Sequence, residues 1–163
     1  MIKEQPLTTD LIGDKTLKTD NKIEFFGSVD ELSAFIMEFI HHIDDKRLEM
    51  HLRKIVSLLS TMMGEVAGGF GHIGELHLSE LLSVISDYES KVGAFNGFCL
   101  PGETLLGAKA HVLRTITRRA ERAYARVFEA DGGSLIIFEY LNKLSTFFYA
   151  LGRYYDEVVG QNA

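Results

Sequence analysis

The stretch Gly107-Ala108-Lys109-Ala110-His111-Val112-Leu113-Arg114-Thr115-Ile116-Thr117-Arg118-Arg119-Ala120-Glu121-Arg122-Ala123-Tyr124 decides how this chain folds. Leu106, Ala110, Leu113, Thr117, Ala120, Tyr124 and Val127 recur at alternating spacings of four and three, the stripe of a long amphipathic helix packed in a bundle. Shifting by one residue gives a second line: Gly107, His111, Arg114, Arg118 and Glu121. On a helix that line lies about 100° round from the apolar stripe. It is therefore a flank, partly covered by a neighbouring helix or subunit.

Working outward, Asp131-Gly132-Gly133 breaks this helix, and Gly93 to Gly102 reads as the loop before it. A further helix follows with Ile137, Leu141, Leu144, Phe148, Leu151, Tyr155 and Val158 on one face. Upstream, a helix from about Leu76 to Val92 carries Leu78, Leu81, Ile85 and Tyr88. Another opens at Asp44-Asp45 and turns Leu48, Leu52, Ile55, Leu59, Met62 and Val66 inward. Gly68-Gly69-Phe70-Gly71 ends it. Ser28-Val29-Asp30-Glu31 has the form of a capping box, which predicts the first helix from Ser28. Residues 1–27 then form an irregular arm, and residues 28–163 an all-α, antiparallel five-helix bundle of ferritin-like, up-down architecture. No run shows the alternation of a strand.

The 163 residues suffice for one domain with a full core. The net charge of -6 argues against general nucleic-acid binding. A basic cluster on an acidic chain points instead to a specific anionic ligand. Cys99 stands alone, so no internal disulfide forms, and a cytoplasmic setting is expected. No apolar run approaches the roughly 20 residues that span a bilayer, so no membrane association is expected. His41-His42 and His72 with His77 lack a second ligand pair at metal-binding spacing.

Two arginines one turn apart, Arg114 and Arg118, can grip phosphate oxygens. Glu121, one turn on, can hold the Mg²⁺ that accompanies a nucleotide. Surface ion pairs such as Arg118 with Glu121 are the more ordinary account of that spacing alone. Asn142 sits beside Leu141 on the flank of the last helix, where a satisfied structural amide is the plainer reading. Asp30 fits the first turn of the first helix, where its charge suits the helix dipole.

At these residues the chain resembles the PduO-type ATP:cob(I)alamin adenosyltransferases. Ile23-Glu24-Phe25-Phe26-Gly27-Ser28-Val29-Asp30-Glu31-Leu32 is similar to R-[IV]-E-A-Y-G-T-V-D-E-L. Phe98-Cys99-Leu100-Pro101-Gly102 is similar to F-[IV]-L-P-G-G. Arg114-Thr115-Ile116-Thr117-Arg118-Arg119-Ala120-Glu121-Arg122 matches R-T-V-C-R-R-A-E-R almost letter for letter. Tyr140-Leu141-Asn142-Lys143-Leu144-Ser145 is similar to Y-L-N-R-L-S.

The resemblance implies a homotrimer with active sites between subunits. It implies transfer of the 5′-deoxyadenosyl group from ATP, with Mg²⁺, to the Co(I) of a reduced corrinoid, releasing triphosphate. It assigns Arg118, Glu121 and Asn142 to catalysis, with Glu121 also at the metal. Thr8, Thr9, Lys18, Arg118 and Asn142 would bind ATP. Phe98 would pack beneath the corrin, and Asp30 would pair with Arg114 at the interface. A corrinoid reductase or a cobalamin-dependent enzyme is the further partner implied. The N-terminal stretch departs from the family's T-[RK]-T-G-D-x-G-x-T loop, and only Thr8-Thr9 resemble its end. The alternative reading is a family member that binds or delivers a corrinoid, or regulates, without turnover.

Overall fold

The computed structural model describes residues 6–69, 71–93 and 100–160. Five helices carry the fold: α1 (Asn21–Ile40), α2 (Lys46–Val66), α3 (Glu75–Val92), α4 (Leu105–Asp131) and α5 (Leu135–Arg153). Each forms where an apolar stripe at helical spacing can be buried. The α4 stripe is buried from Ala110 to Val127, and in α5 Leu141, Leu144, Phe148 and Leu151 are fully enclosed. The expected all-α bundle is therefore the fold. Among the described residues no helix is long and apolar enough to cross a membrane.

The helices pack in the order α2, α1, α4, α5, α3. α1 and α4 run antiparallel, and three ion pairs mark their register: Glu38 with Lys109, Glu31 with Arg119, and Lys22 with Asp131. At the α4–α5 turn, the Tyr124 hydroxyl donates to the Ser134 carbonyl and accepts from its amide, both at 2.9 Å. Gly133, at φ 147°, lets the turn close over that hydroxyl, because a Cβ there would lie 2.7 Å from it.

Two expectations change. The first helix starts at Asn21 rather than Ser28, so the arm ends seven residues earlier than expected. Asp20 is the cap: it is extended, at φ -63° and ψ 140°, and its carboxylate accepts from the Lys22 amide at 2.8 Å. Ser28 is already helical, and its hydroxyl donates back to the Glu24 carbonyl at 2.9 Å. A capping box needs an extended first residue. Burial of Phe25 and Phe26 against the core holds the extra turns in helix.

The arm itself is not irregular throughout. β1 (Leu7–Thr9) pairs antiparallel with β2 (Lys15–Leu17) in a short hairpin. Asp10 closes its turn by accepting from the amides of Ile12 at 3.0 Å and Asp14 at 2.8 Å. At the other end, α5 passes into a π turn, Tyr154–Val159, that keeps Tyr155 buried against Phe39.

Candidate functional site

The flank line of α4 meets α5 along its length. Glu121 is only 6% exposed. Its Oε1 accepts from Asn142 Nδ2 at 2.9 Å, and its Oε2 lies 3.0 Å from Arg118 Nη1. A buried carboxylate requires such partners, because its charge has lost water. Oε2 itself takes no well-aligned hydrogen bond. Arg118 differs from its partner: about half of its side chain faces solvent, at 48% exposed. The result is a cation held at the surface by a buried acid, which in turn is held by an amide on the next helix. The Asn142 carbonyl accepts from the Ser145 hydroxyl at 2.7 Å, which keeps that segment of α5 in register.

One turn back along α4 the flank stays polar and enclosed. Arg114 is half-buried, and its Nε has no hydrogen-bond partner. His111 is buried against Gly152 and edge-on to Tyr149, and its Nδ1 is also without a partner. Burial lowers the His111 pKa below the usual imidazole value. The neighbouring Arg114 charge lowers it further, and Asp156, 3.7 Å from Nε2, opposes both.

Asp156 was not singled out in the sequence, yet it organises this end of the bundle. It projects from the π turn, and its carboxylate accepts from the Gly102 amide, the Thr104 amide and the Thr104 hydroxyl, at 2.9, 2.9 and 3.0 Å. The Thr104 hydroxyl in turn caps α4 by accepting from the Gly107 amide at 2.9 Å. Gly107 is what admits the acid: a Cβ on Gly107 would sit 2.8 Å from Asp156 Oδ2 and closer still to Oδ1. A glycine inside a helical pattern was the one available signal, because it marks a close approach without naming its partner.

The remaining candidates lie apart from the cluster within one chain. Thr8 and Thr9 are on β1, where the Thr9 hydroxyl accepts from Lys15 Nζ at 2.7 Å. Lys18 follows β2 and is tied through its amide to the Pro6 carbonyl at 2.9 Å. Among the described residues no hydrogen bond or ion pair links this hairpin to Arg118. Asp30 is exposed on α1 and forms no ion pair with Arg114 in the same chain. Phe98 lies outside the described residues. No group of three or more histidine, cysteine, aspartate or glutamate side chains suited to a metal occurs among the described residues.

The family model described as "Cobalamin adenosyltransferase" matches residues 7–155. The chain is 28% identical over 156 residues to the corrinoid adenosyltransferase of Bacillus subtilis, covering 89% of this chain and 79% of that protein. It is 26% identical over 157 residues to the corrinoid adenosyltransferase PduO of Citrobacter freundii, covering 92% of this chain but only 47% of that protein. Among solved structures, a variant PduO-type ATP:corrinoid adenosyltransferase from Lactobacillus reuteri, complexed with cobalamin and ATP, superposes with a TM-score of 0.86. The two are 27% identical, with 95% of this chain and 91% of that one covered. With its bundle, its α4–α5 cluster and a match over nearly its whole length, the chain belongs to the cobalamin adenosyltransferase family.

Proposed function

We propose that this chain transfers the 5′-deoxyadenosyl group of ATP to the Co(I) of a reduced corrinoid, giving the adenosylated corrinoid and triphosphate. The observation that carries the reading is Arg118, solvent-facing and anchored by the buried Glu121–Asn142 pair. In this reaction Co(I) supplies an electron pair to the ribose C5′. The C5′–O bond breaks, and its electrons leave with the triphosphate. Negative charge then builds on the departing oxygen. A guanidinium already oriented by Glu121 stabilises that charge without rearranging first. Arginine suits this place because its fork of donors stays charged and matches phosphate oxygens.

Mg²⁺ arriving with ATP fits the same cluster in a limited way. Glu121 Oε2 is ion-paired with Arg118 at 3.0 Å but takes no well-aligned hydrogen bond, so it keeps lone-pair capacity for a cation. It is one protein ligand, so phosphate oxygens and water would fill the other positions. The ion would supply charge neutralisation to the triphosphate.

The other assignments rest on assembly as a homotrimer. Phe35, Val112 and Tyr149 leave large apolar surface exposed on α1, α4 and α5. Across a subunit boundary Asp30 would meet Arg114. The hairpin, with Thr8, Thr9 and Lys18, would reach the nucleotide held by a neighbour's Arg118 and Asn142. Phe98 would pack beneath the corrin.

The test is turnover of ATP and chemically reduced cob(I)alamin, followed by the absorbance change on adenosylation. Arg118→Ala should lower kcat by about 10²–10³-fold, the size of losing one preset donor to developing charge. Its stability should fall by about 1–3 kcal/mol, because the buried Glu121 carboxylate loses its counter-charge, so kcat is compared on protein shown to be folded. Near-normal turnover in that variant would overturn the role of Arg118. An inactive parent protein that still binds corrinoid would identify a carrier instead.

A further inference from the structure

The helix order leaves one seam unlike the others. α2 and α3 lie at the two ends of the sequence of packed helices and do not pack closely against each other. A cleft of about 410 Å³ opens between them. Two ion pairs cross it, Arg47 with Asp87 at 3.2 Å and Lys54 with Glu80 at 2.6 Å. The pairs are seven residues apart on each helix, so at 1.5 Å per residue the window between them is about 10 Å long. That is the span of one ring with a short substituent. All four side chains are largely exposed, so the pairs are individually weak and can swing aside.

The lining below the window is apolar, from Ile55, Leu58, Leu81 and Val84. Tyr140 reaches it from α5. The residue is 1% exposed, yet no protein group among the described residues hydrogen-bonds to its hydroxyl. Burial, helped by the Glu80 charge, raises its pKa far above the usual phenol value, so the hydroxyl keeps its proton and can donate. His77 also lines the cleft. Its Nδ1 accepts from the Gly74 amide at 3.1 Å, so the neutral ring carries its proton on Nε2, a second donor. The fixed charges around the cleft cancel in pairs, so nothing there selects an ion. Tyr140 is also two residues from Asn142 on α5, about 200° around the helix. The seam is therefore on the opposite side of α5 from the Arg118 cluster.

We infer that the α2–α3 seam is a binding site for a ring-sized, uncharged apolar molecule bearing one hydrogen-bond acceptor, which the Tyr140 hydroxyl engages from the floor. Such a ligand accepts from a hydroxyl that borders the cleft and has no hydrogen bond to a described residue, and it covers the half-buried Leu58 and Val84.

The experiment is ligand-observed NMR on the intact chain with acetophenone, a ring with one carbonyl, and ethylbenzene, the same ring with no acceptor. Acetophenone should bind saturably and ethylbenzene more weakly. Tyr140→Phe should weaken acetophenone about five-fold, the usual effect of one hydrogen bond, and leave ethylbenzene unchanged. The variant should melt no lower than the parent, since the hydroxyl gives up no hydrogen bond to a described residue. Saturating ATP should not displace acetophenone. Non-saturable acetophenone binding, equal affinity in Tyr140→Phe, a lowered Tm in that variant, or displacement by ATP would each overturn the proposal. None of these readouts depends on turnover.

Discussion

Gly107→Ala puts the packing of the α4 flank to a sharp test. In an ordinary helix interior this change is favourable by about 1 kcal/mol, because alanine has the higher helix propensity. Here the new methyl would lie 2.8 Å from Asp156 Oδ2 and nearer still to Oδ1, well inside contact distance. Either α4 shifts or Asp156 moves off, and Asp156 holds the Gly102 amide, the Thr104 amide and the Thr104 hydroxyl. Overpacking costs about 1–3 kcal/mol. Losing charge-assisted hydrogen bonds adds about 1.5–3 kcal/mol, and part of that returns as Asp156 reaches water. Set against the propensity gain, the net loss is about 2–3 kcal/mol. For a chain of this size that is a drop in Tm of roughly 5–10 °C. The assay is thermal unfolding of four proteins: parent, Gly107→Ala, Asp156→Ala and the double variant. In the Asp156→Ala background the obstacle is gone, so Gly107→Ala should reverse sign and stabilise by up to about 1 kcal/mol. Additive effects, or a Gly107→Ala variant as stable as the parent, would refute the reasoning.

Two further outcomes follow from the same flank. Asn142→Ala strips Glu121 Oε1 of its donor while the carboxylate stays buried, so stability should fall by about 1–3 kcal/mol and turnover with it, as read by urea unfolding and by adenosylation. His111 has a folded-state pKa below its unfolded value, so folding favours the neutral ring. Its contribution is then fully present above the unfolded pKa of about 6.5 and is lost as pH falls through it toward the folded value. The parent should therefore lose more stability than His111→Gln between pH 7 and pH 5. Equal slopes in denaturant titrations at the two pH values would rule that out.

Most of the helical framework was legible in the sequence. The four-three stripe of α4 and those of α2, α3 and α5 fall where burial places them, because helical periodicity is a local property of the chain. The start of α1 was misread for the same local reason: Ser28 and Glu31 satisfy the spacing of a capping box, but the spacing cannot tell that Phe25 and Phe26 are buried and already in helix. The cluster was half legible. Arg118 and Glu121 share one helix and so share a face by arithmetic, and the family resemblance added Asn142.

The sequence by itself therefore determined the helices, their buried faces and the family. The tertiary structure decided which polar groups meet. It paired Glu121 with Asn142 across 21 residues, and it brought Asp156 more than 50 residues back to the loop before α4. It also left the Tyr140 hydroxyl at a seam with no hydrogen bond to a described residue. Periodicity records which side of a helix turns inward. The register between helices, and so the partner of each buried polar atom, is set only when the whole core packs.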